Sequence, residues 1–428
     1  MPVKSLAKPC ALSNSVFSFI EEIFELKIDF IVHSRNKYTH WLERFEFKPV
    51  IKVLTGMRRV GKSTLLRLQC ESLRLRNPDI TLLEIDKESM DWDNIRTGVE
   101  LNDLAKTTFE GKPGPCVLVV DEVQEIEEWE RAVASILKSG MADIYVTGSN
   151  ARVFSTELSD RLSGRHVEMP VHPLTYSEFL EFSGEPDSGA LFARFLRHGG
   201  MPGLHAISTE DATVFDYLRA IADTVVLKDV ISRHEVRNVR LLSNLLRFVL
   251  DTSGSPLSAK RIADYLKSQR FKTSVDTVLE YLGYFVDARV LHRIPRHDLR
   301  GRKILEVNEK FYAADGGLRN AMLGHRVQDI GIQLENVVCN HLLAEGFTVE
   351  VGKWGDYEVD FVAMKNSSRI YIQVAYLLPE PATLERELRP LRCINDQYPR
   401  LLLSMDSQFR EDHEGIRWMN IRDFLLNR

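Results

Sequence analysis

Residues 54–66 read LTGMRRVGKSTLL, and the spacing inside this stretch decides the fold. Gly56 is followed by four residues and then by Gly61, Lys62 and Ser63, the signature of a phosphate-binding loop set between a strand and a helix. Glycine at both ends lets the backbone turn so that successive N–H groups point inward at phosphate oxygens, and a side chain at either position is expected to obstruct that nest. Lys62 adds a point charge for the β- and γ-phosphates, and Ser63 offers a hydroxyl to Mg²⁺. The run Gly56, Met57, Arg58, Arg59, Val60, Gly61, Lys62, Ser63 and Thr64 is therefore the expected nucleotide cradle. Its flanks agree: VIKVLT reads as a strand, and STLLRLQCESLRL as a helix whose N-terminal dipole favours an anion.

Outward from the loop, residues 35–172 alternate short β-rich runs with helical stretches: VIKVLT, ITLLEI, CVLVV, DIYVTG and HVEMPV. That alternation predicts an α/β fold, a parallel P-loop sheet with helices on both faces. Mg²⁺ needs a carboxylate at the end of a neighbouring strand, and CVLVVDEVQ delivers Asp121 there. Glu122 follows where a base can polarise water for attack on the γ-phosphate. The strand DIYVTGSN ends in Thr147, Ser149 and Asn150, and of these Ser149 is the expected γ-phosphate sensor.

The chain has 428 residues, enough for several cores, and a formal charge of -5 argues against a generally basic nucleic-acid coat. Its five cysteines are scattered without a CxxC pair, which suits a reducing compartment and ordinary core positions. The longest apolar runs are strand-sized, so no membrane span is expected and a cytoplasmic location is. Residues 1–34 read as an extension with a short amphipathic helix carrying Phe17, Ile20, Ile23 and Phe24 on one face. Residues 173–250 read as a helical lid broken at RHGGMPG, 251–325 as a further domain and 326–428 as a last mixed α/β one.

Charge is not spread evenly. Residues 255–310 hold twelve Lys/Arg against seven Asp/Glu, a local balance of +5. SAKRIADYLK and TSVDTVLEYLGYFVDARVL read as amphipathic helices, with Ile262, Tyr265 and Leu266 on one inner face and Val275, Val278, Leu279 and Leu282 on the other. Two strands around an Arg-rich turn follow, which together describe a winged helix. Its second helix is expected to enter a DNA major groove while Arg300, Arg302 and Lys303 meet phosphates, although Asp276 and Glu280 on that helix repel them and leave a protein partner open.

The segments GMRRVGKSTLL, VLVVDEVQEIEEWERAV, IYVTGSN, LSGRHVEMPVHPLTYSEFL, HGGMPG, KFYAADGGLRNAML and EVDFVAMKNSSRIYIQVAY occur in that order. In this the chain resembles the AAA-type ATPases of prokaryotes that carry a C-terminal region of unknown function, over roughly residues 35–428. The resemblance implies ATP as the nucleotide, since a phosphate loop does not read the base. It also implies Arg165 as a γ-phosphate arginine, acting in cis or toward a neighbouring subunit of an oligomer, and a winged helix at 251–325. For the last domain it implies a restriction-endonuclease-like fold, with Asp360 and Gln373 on adjacent strands and Glu335 on a preceding helix. Metal-dependent cleavage needs a second acid and a lysine two residues on. Here Gln373 and Ala375 stand in those places, so a non-cleaving domain is expected, unless a nearby base such as Lys365 substitutes.

Overall fold

Each of the five apolar runs forms a strand: β1 Ile51–Thr55, β2 Thr81–Asp86, β3 Cys116–Asp121, β4 Asp143–Gly148 and β5 His166–Pro170. All pair in parallel, in the order β2-β3-β4-β1-β5. The computed structural model describes residues 35–149, 162, 164–207, 210–301, 303–407 and 412–428, with the backbone alone for 303–307. The helix expected in 1–34, Asn150 and Arg302 lie outside the described residues.

Helices cover both faces of this sheet, so its central strands are apolar along their whole length. Alternate residues serve opposite sides. Ile51, Val53, Leu118, Val120, Ile144 and Val146 pack with Leu101, Ala105, Val133 and Ile136 of helices Gly98–Phe109 and Trp129–Ser139. Leu54, Val117, Val119 and Tyr145 pack with Leu65, Leu66, Cys70 and Leu73 of helix Lys62–Arg76. Burying each aliphatic side chain contributes about 1.5–3 kcal/mol, which fixes the strand order and with it the row of strand ends. Because β4 lies between β1 and β3, the phosphate loop, Asp121 and Ser149 emerge side by side.

The region after β5 is helical, as expected: Tyr176–Ser183, Gly189–His198, Asp211–Thr224 and Val239–Asp251, with a π-helix, Val225–Ser232, continuing the third. The break at RHGGMPG has a packing reason. Gly199 adopts φ +76°, and a Cβ there would lie 2.3 Å from the Asp315 carboxylate. A Cβ on Gly317 would lie 1.8 Å from the His198 carbonyl, so HGGMPG and ADGGLRNAML are pressed backbone against backbone. The Gly200 N–H donates to Asp315 at 2.7 Å.

Helices Ala259–Ser268 and Val275–Asp287 form where expected and are followed by the hairpin of β6 (Leu291–Asp298) and β7 (Lys303–Ala313). Two expectations need correction. In the second helix the buried stripe is Val278, Tyr281, Leu282 and Phe285, spaced i, i+3, i+4, i+7, and Leu279 falls one step outside it at 55% exposure. Tyr265 is likewise 47% exposed. The hairpin, moreover, is not a free wing. β6 pairs in parallel with β8 (Thr348–Trp354), Arg296 standing opposite Val351. A single sheet therefore runs β12-β13-β11-β10-β9-β8-β6-β7, adding β9 Tyr357–Lys365, β10 Ser368–Val374, β11 Arg400–Ser404, β12 Asp412–His413 and β13 Ile416–Asn420. A domain boundary at 325/326 cuts across that sheet. No helix among the described residues is long and apolar enough to cross a membrane.

Arg35 clamps the loop side of the first sheet. Its buried guanidinium meets Glu178 with two contacts of 2.8 Å and donates to the carbonyls of Val60 at 3.2 Å and His172 at 2.9 Å. Burial opposes ionisation of Glu178, but Arg35 holds its carboxyl below the usual range. Arg35→Ala removes one partner of a buried pair and is expected to cost about 3–5 kcal/mol in urea unfolding. The wild-type pair contributes above about pH 4.3 and is lost as pH falls through the depressed value, so the gap between the two proteins closes in acid. A variant within about 1 kcal/mol of wild type at neutral pH contradicts this role.

Candidate functional site

The phosphate loop leaves β1 at Thr55 and enters helix Lys62–Arg76, and two glycines allow the turn for different reasons. A Cβ on Gly56 would lie 2.3 Å from the Val171 carbonyl, so there the obstacle is packing. At Gly61 that position meets no atom of the described residues within 4 Å beyond the glycine's immediate chain surroundings, and it is φ +96° that calls for glycine. The expectation is obstruction of the phosphate nest at both, whereas the clash at Gly56 is with Val171 and the requirement at Gly61 is conformational. Met57 and Val60 are buried and pin the loop to the core, while Arg59 is exposed.

Lys62 Nζ donates to the carbonyls of Gly56 at 3.0 Å and Met57 at 3.2 Å, and lies 3.5 Å from Glu122. The ammonium is 4% exposed, so it acts in a low-dielectric setting where its charge is strong. On the adjacent strand β4, Thr147 organises both acids: its hydroxyl accepts from the Glu122 N–H at 2.9 Å and donates to the Asp121 carboxylate. Glu122 takes a left-handed backbone conformation, φ +52°, an uncommon one for a side-chain-bearing residue, which turns its carboxylate toward Lys62. Burial raises the Asp121 pKa against the pull of the Ser63 and Thr147 hydroxyls. Burial also opposes ionisation of Glu122, but Lys62 and Arg58 outweigh it and keep that carboxyl low.

Ser63 stands beside Asp121 and its hydroxyl favours the ionised carboxylate, so the two offer a hydroxyl and a carboxylate in the pairing that suits a hard divalent ion. An open cleft of about 270 Å³ lies beside them, lined by Ser63, Thr64, Arg67, Glu84, Asp86 and Asp121. Ser149 is fully buried at the end of β4, where its Oγ accepts from Gln124 Nε2 at 3.5 Å and donates to Asp229 at 3.0 Å. Arg165 is not brought to this site. Its carbonyl accepts from Ile51 N at the start of β1, roughly 16 Å of strand from the loop, and its side chain is exposed. Sequence reasoning missed Asp229 and Gln124 altogether, and only Gln124, two residues past the acidic pair, carried a local signal.

The basic region is quieter than its count suggests. Arg289 pairs with Glu168 at 2.9 Å, Arg293 with Glu309 at 2.8 Å and Arg296 with Glu358 at 3.2 Å. Arg300 lies over the Trp354 ring at 6.0 Å, and Lys303 stands opposite Asp298 in the hairpin. Lys260, Arg261, Lys267, Arg270 and Lys272 are exposed, but on the first helix and the loop after it, whereas the second helix exposes Asp276, Leu279 and Glu280.

In the C-terminal sheet, the cluster around Asp360 contains a cation that sequence reasoning overlooked. Lys310, on β7, reaches Glu335 at 3.1 Å and Glu358 at 2.9 Å, and Tyr312 donates to Glu335 at 2.5 Å. Burial works against the Lys310 charge, but Glu335, Asp360 and Glu358 raise its pKa overall. Asp360 is pushed well up by burial and by Glu335, against the pull of Lys310. Gln373 donates to Glu387 at 3.1 Å. Lys365 points elsewhere, donating to the Glu345 carbonyl at 2.7 Å. Among the described residues no group of three or more His, Cys, Asp or Glu side chains is arranged to hold a metal ion.

Residues 48–180 match a family model described as an AAA domain, and residues 189–329 match one described as a domain of unknown function. An uncharacterized protein of Haemophilus influenzae is 30% identical over 402 residues, covering 92% of this chain and 98% of that one. An uncharacterized protein of Methanocaldococcus jannaschii is 29% identical over 354 residues, covering 79% of this chain and 77% of its own. Among solved structures, ORC1 of Aeropyrum pernix in complex with DNA aligns at a TM-score of 0.33 and 14% identity, over 67% of this chain and 91% of that one. AMPPCP-bound DnaA of Aquifex aeolicus aligns at 0.29 and 12%, over 57% and 84%. With its phosphate loop, its strand-end acids and a relative matched along nearly its whole length, the chain belongs to the AAA-type P-loop ATPase family that carries a C-terminal region of unknown function.

Proposed function

We propose that the protein is a Mg²⁺-dependent ATPase whose nucleotide state changes how the segments after the first sheet sit on a partner. The observation that carries this reading is the convergence of Lys62, Asp121, Glu122 and Ser149 at one row of strand ends. Loop amides and the Lys62 ammonium take the β- and γ-phosphates. Ser63 and Asp121 would hold the metal, whose chemistry would be to neutralise charge developing on the phosphates. Glu122, kept ionised by Lys62 and Arg58, accepts a proton from the attacking water. Ser149 reports the γ-phosphate. Arg165 precedes β5 at the strand ends opposite the phosphate loop, which supports a role toward a neighbouring copy over one in cis.

For the partner, the exposed cations Lys260 to Lys272 suit the sugar-phosphate backbone of DNA, a sequence-independent contact. A second reading rests on the other helix: Asp276, Leu279 and Glu280 make an acidic and apolar face that suits a protein better than a major groove. In the C-terminal sheet, the Lys310 ammonium answers the acids that a nuclease devotes to metal, which favours a non-cleaving domain.

Three outcomes are expected. In phosphate-release and nucleotide-binding assays, Lys62→Ala loses ATP affinity, whereas Glu122→Gln binds ATP like wild type and turns over about 10²–10⁴-fold more slowly. Equal loss of binding in both variants contradicts the roles assigned. If DNA is the partner, changing Lys267, Arg270 and Lys272 to Glu lowers the salt dependence of binding by about one power of salt per residue. Unaltered DNA binding in that variant removes the proposed contact. Plasmid DNA incubated in Mg²⁺ or Mn²⁺ stays uncut, and nicking that disappears in Asp360→Ala would overturn the non-cleaving assignment.

A further inference from the structure

Asp229 is fully buried, yet it belongs to the helical region and not to the nucleotide fold. Both carboxylate oxygens are used by the candidate site: Oδ2 accepts from Arg58 Nε at 2.9 Å, and Oδ1 accepts from Ser149 Oγ at 3.0 Å. Arg58 is a residue of the phosphate loop itself, and its other arm reaches Glu88 at 2.7 Å. Ser149 in turn accepts from Gln124, which also donates to the Glu122 carboxylate. Loop, base and sensor strand are thus linked in one network through an acid from outside the sheet.

The backbone that carries Asp229 is unusual. Residues Val225–Ser232 wind as a π-helix, eight residues inserted between α-helical winding on either side. Such winding is rare and occurs mostly at functional sites, where it re-aims a side chain. Burying a carboxylate is also costly, and a buried ion pair by itself is weak support for a purely stabilising purpose. Arg233, one turn on, lies 4.0 Å from the same carboxylate and from Glu125, so the segment answers to charge on the sheet at a second point.

Resting on the ATPase reading above, we infer that Asp229 is a positioning residue that couples nucleotide state to the helical region. It orients the Arg58 guanidinium and the Ser149 hydroxyl beside Glu122. A γ-phosphate competes with Asp229 for those same two donors, so its arrival weakens the hold on the π-helix and its departure restores it. ADP lacks that group and leaves the latch closed. The consequence is a lid whose local stability differs between the triphosphate and diphosphate states.

The test uses the full chain, with ADP and a β,γ-methylene ATP analogue as probes, and follows amide hydrogen exchange over residues 225–238 together with phosphate release. Wild type is expected to exchange faster in this segment with the analogue than with ADP. Asp229→Asn, which keeps an acceptor and removes the charge, is expected to bind ADP within about twofold of wild type, to lose the difference between nucleotides, and to drop kcat about tenfold to a hundredfold with a smaller change in KM. If that variant does not fold, Ser149→Ala, which leaves the ion pair in place, is expected to shrink the exchange difference and lower kcat. An unchanged exchange difference and kcat in whichever variant folds overturn the latch while leaving the ATPase reading intact. A wild type that takes up neither nucleotide overturns both.

Discussion

One ammonium group has more claimants than it can serve. Lys62 is buried, donates to two carbonyls of its own loop, and faces the Glu122 carboxylate at 3.5 Å. A triphosphate tail brings a denser negative charge to the same place and competes for the same three donors. In the proposed ATPase, an ammonium turned to phosphate would leave Glu122 without this positive neighbour and free to face the attacking water. On that proposal the same group would favour ionisation of Glu122 in one arrangement and bind substrate in the other, and the rest of the site would be arranged around that competition.

The fold supplies this geometry through burial, not through the site residues themselves. Two apolar cores on opposite faces lock β1, β3 and β4 into adjacent positions, so that three strands ending at Thr55, Asp121 and Gly148 finish at one edge. Arg35 and Glu178 then tie the loop, through the Val60 carbonyl, to the first helix of the following region. Farther on, the glycine segments at 199–200 and 316–317 bring the helical region against the start of helix Gly316–Leu323, with Asp315 accepting from Gly200. Changes at the nucleotide edge therefore have a continuous packed path toward the second sheet.

Much of this was legible in the residues. The strands emerged from short apolar runs, and the loop, Asp121 and Glu122 from their spacing and from their place at strand ends, because these are local patterns. Other features were not. Asp229 meets Arg58 across 171 positions, and an acid in the apolar run VVLKDVIS carries no sign of a partner that far away. Lys310 enters an acidic cluster from a strand assigned to a different domain, since the pairing of β6 with β8 that unites the two regions leaves no mark in either strand's periodicity. Charge counting failed for a related reason: the +5 of residues 255–310 includes arginines whose partners, Glu168 and Glu358, lie outside the window. Leu279 and Tyr265 show the limit of periodicity, where a residue one step from the buried stripe falls on either side of it.

The most direct measurement of the central claim is isothermal titration calorimetry of the folded chain with ATP in the presence of Mg²⁺, beside the Lys62→Ala variant. The account predicts saturable uptake of one nucleotide per chain by wild type and strongly weakened uptake when the ammonium is gone. Wild-type protein that is folded and takes up no triphosphate, or a variant that binds as tightly as wild type, would contradict it.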